Sequence, residues 1–176
     1  LRENTDPIWV RERTCTHGDL NATNVAIDPN GDGRPRAYVI DPGGVTTEPD
    51  LRDLAYLEVT TLLFYSAGEE HRLLPACQGY YEADLRAEGV EPPDGATPFV
   101  RNTIALVQAI RRHAAGSQDA RLYPALVFDA ALRQLLGLAI QPKRNKVLHP
   151  LHARFLASWA GGWASKLAPD LFPARR

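Results

Sequence analysis

Two short stretches carry the densest set of oxygen-bearing side chains in this sequence. The first, HGDLNATN, runs from His17 through Asp19 to Asn24, and the second ends in Asp41, followed by Pro42, Gly43 and Gly44. Asp19 and Asp41 bring carboxylates and Asn24 brings a neutral amide oxygen. Hard oxygen donors in this mixture suit Mg²⁺, which takes one or two carboxylates and fills its octahedron with water and phosphate oxygens. A carboxylate not used by the metal can orient a hydroxyl and accept its proton. Together these are the parts of phosphoryl transfer, a reaction catalysed mainly by positioning and charge neutralisation.

Such groups must be held to within about half an ångström, so rigid elements have to flank them. β-prone runs lie at Ile8 to Thr14, Val25 to Ile27 and Ala37 to Ile40, which puts HGDLNATN between the first two strands and Asp41 at the end of the third. The intervening DPNGDGRPR is rich in turn residues and reads as a hairpin connection. After residue 50 the periodicity turns helical. Asp50 suits the N-cap of a helix from Leu51 to about Ala67, Asp53 anchors its first turn, and Gly68 stops it. Further helices are expected from about Glu69 to Glu88, from Phe99 with Val100, Ile104 and Val107 on one face, from Leu122 with Phe128, Leu132, Leu135 and Leu136, and from Leu151 to Leu167. A loop covers Gly89 to Pro98 and QPKRNK is a linker. Strands followed by helices, with no βαβ alternation, make an α+β fold: residues 1–49 carry the strands and polar loops and residues 50–176 a mostly helical bundle.

At this point the sequence resembles a known family. The interval from Asp19 to Asn24, with Asp41 after a hairpin, matches the spacing of the kinase catalytic loop and its metal-binding Asp. Gly18 and Asn21 make the loop similar to the HGDLxxxN of the aminoglycoside phosphotransferase and choline kinase group rather than to protein kinases. LRDLAYLE, from Leu51 to Glu58, resembles the opening of the helix that follows the metal-binding Asp in that group. The chain is also similar to the phosphotransferase-like modules of bacterial conflict-system proteins. The resemblance covers about residues 8 to 66 by motif and the later helices by class only. It implies a protein-kinase-like C-terminal lobe, with Asp19 as catalytic base, Asn24 and Asp41 holding Mg²⁺ and the phosphates of ATP or GTP, and His17 bracing the loop. The γ-phosphoryl group would pass to a hydroxyl of a small molecule. The alternative is a catalytically inactive binding or scaffold module on the same fold.

Two features depart from the family pattern. Pro42 stands where a Phe or Trp usually follows the metal-binding Asp, fixing φ and removing an N–H. The family's glycine-rich loop and phosphate-binding Lys belong to an N-terminal lobe, yet sixteen residues precede His17, and Lys143, Lys146 and Lys166 all come late. The chain also contains no Met. The expectation is a C-lobe whose N-lobe lies in a missing upstream segment, and which is inactive in isolation.

The 176 residues are 44% hydrophobic and 23% charged, enough to bury a core, and a net charge of −1 gives no overall pull toward nucleic acid or anionic lipid. Cys15 and Cys77 form neither a disulfide framework nor a metal-binding pair. No apolar run reaches the ~20 residues of a membrane span, and the opening LRENTDP is too polar for a signal peptide. A soluble, cytoplasmic protein is the expectation.

Other groupings are weaker. Cys15 and His17 share a strand face but lack a third orienting group, so Cys15 reads as a half-buried small hydrophobe. Asp28, Asn30, Asp32 and Gly33 begin like an EF-hand loop, but position twelve holds Val39 and not Glu. His149 and His152 have no Cys or carboxylate partner for a metal. Arg101, Arg111 and Arg112, with Lys143, Arg144 and Lys146, read as solvated basic positions, and Trp159 and Trp163 as packing residues.

Overall fold

The computed structural model describes residues 13–44, 46–49, 51–64, 91–92, 94–140, 156–158, 160–162 and 164. Within them the architecture is α+β and mostly helical, with two small antiparallel ribbons. Strand β1 (Arg13–Thr16) pairs with β4 (Thr46–Pro49), and β2 (Val25–Asp28) pairs with β3 (Arg36–Val39). The expected hairpin is the β2–β3 ribbon, in register Val25↔Val39 through Asp28↔Arg36. Its turn starts where the Asp28 side chain accepts the Asn30 N–H at 3.0 Å, a local alternative to ladder bonding that Asp and Asn favour.

The β1–β4 ribbon was not anticipated. TTEP carries no apolar alternation and ends in proline, so nothing in residues 46–49 signals a strand; pairing with β1, from Arg13↔Pro49 to Thr16↔Thr46, extends it. Pro49 sits at the end of this two-stranded ribbon, where a missing donor is tolerated. Of the expected strand from Ile8, the described part begins at Arg13 and continues to Thr16, two residues past Thr14. Cys15 lies on it exposed, not half-buried.

Helix α1 (Arg52–Phe64) follows at once and packs against α2 (Pro98–Ala115) and α3 (Tyr123–Ile140). Leu51, Ala55, Val59, Leu62 and Leu63 recur at helical spacing and are almost fully buried, so the face that folds α1 is the one the periodicity marks. Its Val59, Thr60 and Thr61 are poor helix formers by propensity, and tertiary burial outweighs that preference. Thr97 caps α2 by accepting the Val100 N–H at 3.3 Å, with Pro98 in the first turn; Val100, Ile104 and Val107 are buried on one face. Leu156 and Ala160, within helical residues 156–158 and 160–162, complete the core.

Helix α3 is rotated relative to the sequence expectation. The buried stripe is Tyr123, Val127, Ala130 and Ala131, while Phe128 and Leu135 are partly buried and Leu136 is exposed. The cause is a polar tether. Tyr123, fully buried, donates its hydroxyl to the Glu58 carboxylate at 2.7 Å, and this fixes the phase of the helix. Arg111, expected on a solvated face, is also buried: its guanidinium meets both Glu58 oxygens at 3.1–3.2 Å. One carboxylate thus joins α1, α2 and α3. Burial, followed by the Glu58 charge, holds the Tyr123 phenol well above its ordinary pKa of 10.0.

Asp50, Gly68, Cys77, the expected helix from Glu69 to Glu88, Lys143, Arg144, Lys146, His149, His152, Trp159, Trp163 and Lys166 lie outside the described residues. Among the described residues, no helix is long and apolar enough to cross a membrane.

Candidate active site

The two ribbons share two crossing segments: residues 17–24 link β1 to β2, and residues 40–44 lead from β3 toward β4. Each segment is therefore pinned at both ends. Extending the β2–β3 register by one step pairs Asn24 with Ile40, and the Ile40 N–H donates to the Asn24 carbonyl at 3.0 Å. Asp41 follows directly, so the hairpin itself brings Asn24 and Asp41 to one end.

At the other side the segments touch backbone to backbone. A Cβ added at Gly18 would collide with the Gly44 carbonyl oxygen, and Gly18 has φ +78°, where side chains are disfavoured. A Cβ added at Gly43 would lie 2.5 Å from the Asp19 Cβ. Glycine at both places lets the Asp41 segment lie against Asp19. Gly18→Ala is expected to lower the unfolding free energy by about 1–3 kcal/mol, from the conformation alone. A chemical denaturation midpoint that falls at constant slope would show it. An unchanged midpoint would mean the close approach to Gly44 is absent.

The loop bearing Asp19 is also held from below. One Asp53 carboxylate oxygen accepts the His17 N–H at 2.6 Å and the other accepts the Gly18 N–H at 3.1 Å. Asp53 was expected to anchor its own helix, and it does lie in the first turn, but its oxygens grip the loop. His17 braces from above: Nε2–H donates to the Ile40 carbonyl at 2.9 Å, and Nδ1 accepts a longer contact from the Asp19 N–H at 3.4 Å. With both ring nitrogens engaged, His17 acts on loop shape.

Asp19 is half-buried and surrounded by donors. Asn21 Nδ2 reaches one carboxylate oxygen at 3.2 Å, and Asn24 Nδ2 reaches the other at 3.4 Å while bonding the Asp19 carbonyl at 2.9 Å. Directing its NH₂ at Asp19 turns the Asn24 amide oxygen away, as an acceptor. Asn24 is buried, and Asp41 is exposed in the left-handed region at φ +56°, the one described non-glycine residue with positive φ. Short polar side chains tolerate that region best, and residues held there cluster at functional sites. The sequence-predicted residues His17, Asp19, Asn24, Asp41 and Asp53 therefore fall on one pair of adjoining segments and the helix turn beneath them.

Sequence reasoning missed Tyr56 and Gln134. Tyr56 is one turn beyond Asp53 on α1, which puts it under the same loop, and its hydroxyl accepts from Gln134 Nε2 of α3 at 2.8 Å. Burial and then the Asp19 charge push this phenol above its ordinary pKa of 10.0. Gly18, Tyr56 and Gln134 line a cavity of about 320 Å³ together with Arg52, Asp129 and Arg133. The spacing Asp53-x-x-Tyr56 was the available signal, but it becomes legible only once Asp53 is known to face the loop.

Among the described residues no three His, Cys, Asp or Glu side chains gather to hold a metal. A site of one carboxylate and one amide oxygen does not need such a trio, and the hard donors of Asp41 and Asn24 fit Mg²⁺ in kind. Compared with family models, curated proteins and solved structures, the chain matches none, so the arrangement of its own residues is what a functional reading stands on.

Proposed function

We propose that this chain is the kinase-like C-terminal lobe of an ATP- or GTP-dependent phosphotransferase of the aminoglycoside and choline kinase type, acting on a hydroxyl of a small molecule. The observation that carries the reading is the Asp19 carboxylate, oriented by the Asn21 and Asn24 amides and laid against the segment that bears Asp41. Asp19 accepts the acceptor's hydroxyl proton as that oxygen attacks the γ-phosphorus, and the bond to the bridging oxygen breaks to release the nucleoside diphosphate. Asn24 and Asp41 hold Mg²⁺, which when bound neutralises charge on the nucleotide phosphates. His17 and Asp53 keep the loop in shape. The β2–β3 ribbon leaves Ile27 and Val39 exposed beside this end, an apolar face suited to a nucleobase or to a covering lobe. That lobe, with a glycine-rich loop and a phosphate-binding lysine, would come from sequence upstream of Leu1.

The test is thermal. In protein carrying the upstream segment, Mg·ATP or Mg·GTP should raise the melting temperature, since a ligand at a hundred times its Kd stabilises by about 2.7 kcal/mol. Chelating the Mg²⁺ should abolish the rise. No rise with either nucleotide would overturn the enzyme reading. The alternative is a non-catalytic binding or scaffold module, and one observation favours it: Pro42 follows the unusual Asp41 backbone, where the family pattern has an aromatic residue.

A further inference from the structure

We infer that Asn21, its amide locked by Thr23, is a positioning residue that ties the proposed base Asp19 to the proposed metal ligand Asn24. The inference deepens the phosphotransferase reading and rests on it.

Asn21 stands between the two groups and holds both. Its main-chain N–H donates to the Asp19 carbonyl at 2.9 Å, and its own carbonyl accepts the Asn24 N–H at 3.0 Å. Its side-chain oxygen caps the short 3₁₀ turn Ala22–Asn24 by accepting the Thr23 N–H at 2.9 Å, and the Thr23 hydroxyl donates to the same oxygen at 2.5 Å. A main-chain N–H can only donate, so the Asn21 atom that faces it must be the amide oxygen. The NH₂ end is thereby turned to Asp19, 3.2 Å from one carboxylate oxygen and 3.4 Å from the carbonyl. An amide without such a clasp can turn over and offer its oxygen to the carboxylate, which repels it. Thr23 opposes that rotation with both of its donors, and its side chain is exposed, so the hydroxyl is not there to fill the core.

The geometry allows two roles for Asn21, and one substitution separates them. As an N-cap alone it would be replaceable by serine, which caps about as well. As a positioning residue it would not, because a serine hydroxyl that accepts from Thr23 leaves no amide to hold Asp19. In protein with the upstream segment, Asn21→Ser is expected to unfold cooperatively yet lose about tenfold in kcat with the nucleotide KM unchanged, since a misplaced reacting group slows the step without weakening binding. Thr23→Val, which removes the hydroxyl and keeps the shape, should lower kcat in the same way by less, and Thr23→Ser should restore it. An unaltered kcat in Asn21→Ser would make Asn21 a cap only and overturn the inference.

A second measurement needs no activity. Melting temperatures of Asn21→Ser, Asp19→Ala and the double variant form a cycle. Because each side chain holds the other, the double variant should lose less than the sum of the two single losses. Losses that add would overturn the inference whatever the kinetics show. If the unaltered protein transfers no phosphoryl group, the proposed function fails by itself, and the melting cycle still decides whether Asn21 positions Asp19.

Discussion

Under the proposed phosphotransferase function, replacing Asp19 with alanine is expected to lower turnover by about 10²- to 10⁴-fold, the usual worth of a positioned general base. The loss should appear in kcat at saturating nucleotide and Mg²⁺, because the proposed mechanism has Asp19 act on the acceptor hydroxyl and leaves nucleotide binding to other groups. Asp41→Ala should behave differently. Its defect should shrink as Mg²⁺ is raised, while that of Asp19→Ala should not. Titrating Mg²⁺ against initial rate in both variants checks the two roles at once. A wild-type rate in Asp19→Ala would remove the assigned base, and identical Mg²⁺ curves would remove the division of labour.

The largest expected effect on stability lies away from the site. Glu58 is fully buried and takes the Arg111 guanidinium through both of its oxygens and the Tyr123 hydroxyl at 2.7 Å. Removing one partner of a buried ion pair strands the other charge in a low-dielectric interior and costs about 3–5 kcal/mol. Arg111→Ala should therefore lose a large part of a typical domain's 5–15 kcal/mol, visible as a fall in the denaturation midpoint. A double replacement of Glu58 and Arg111 by apolar residues of similar volume should recover much of that loss, since no charge is then left unpaired. Equal losses in the single and double variants would mean the pair is not buried as described. Tyr123 adds a pH signature. Its phenol is held above 10.0 in the folded protein, so the unfolded chain releases that proton first as pH rises. Stability contributed by the neutral phenol is complete below pH 10 and declines above it.

How far this could be read from sequence depends on whether the cause is local. The β2–β3 hairpin, a helix beginning near Leu51 and the face of Val100, Ile104 and Val107 were legible, because turn chemistry, capping and apolar spacing are written within a few residues. The β1–β4 ribbon was not, since residues 46–49 become a strand only through pairing with a partner some thirty residues away. The rotation of α3 and the burial of Arg111 share one hidden cause, the Glu58 carboxylate, whose place depends on the packing of three helices. Spacing singled out Asp19, Asn24 and Asp41, with His17 and Asp53 as support, and the structure places all five on two adjoining segments and the helix turn beneath them. What the spacing could not convey is that Gly18 and Gly43 allow two segments to lie in contact.

The grip of Asp53 has a consequence for how this molecule can vary. Its two oxygens seize main-chain hydrogens, at His17 and Gly18, so the grip reads the backbone and not the side chains of the loop. Loop and helical body are thus coupled through a connector blind to the letters it holds. Selection, or an engineer, could rewrite the chemistry carried by the loop's other side chains while leaving its mounting untouched, provided this aspartate, His17 and the glycines at 18 and 43 stay.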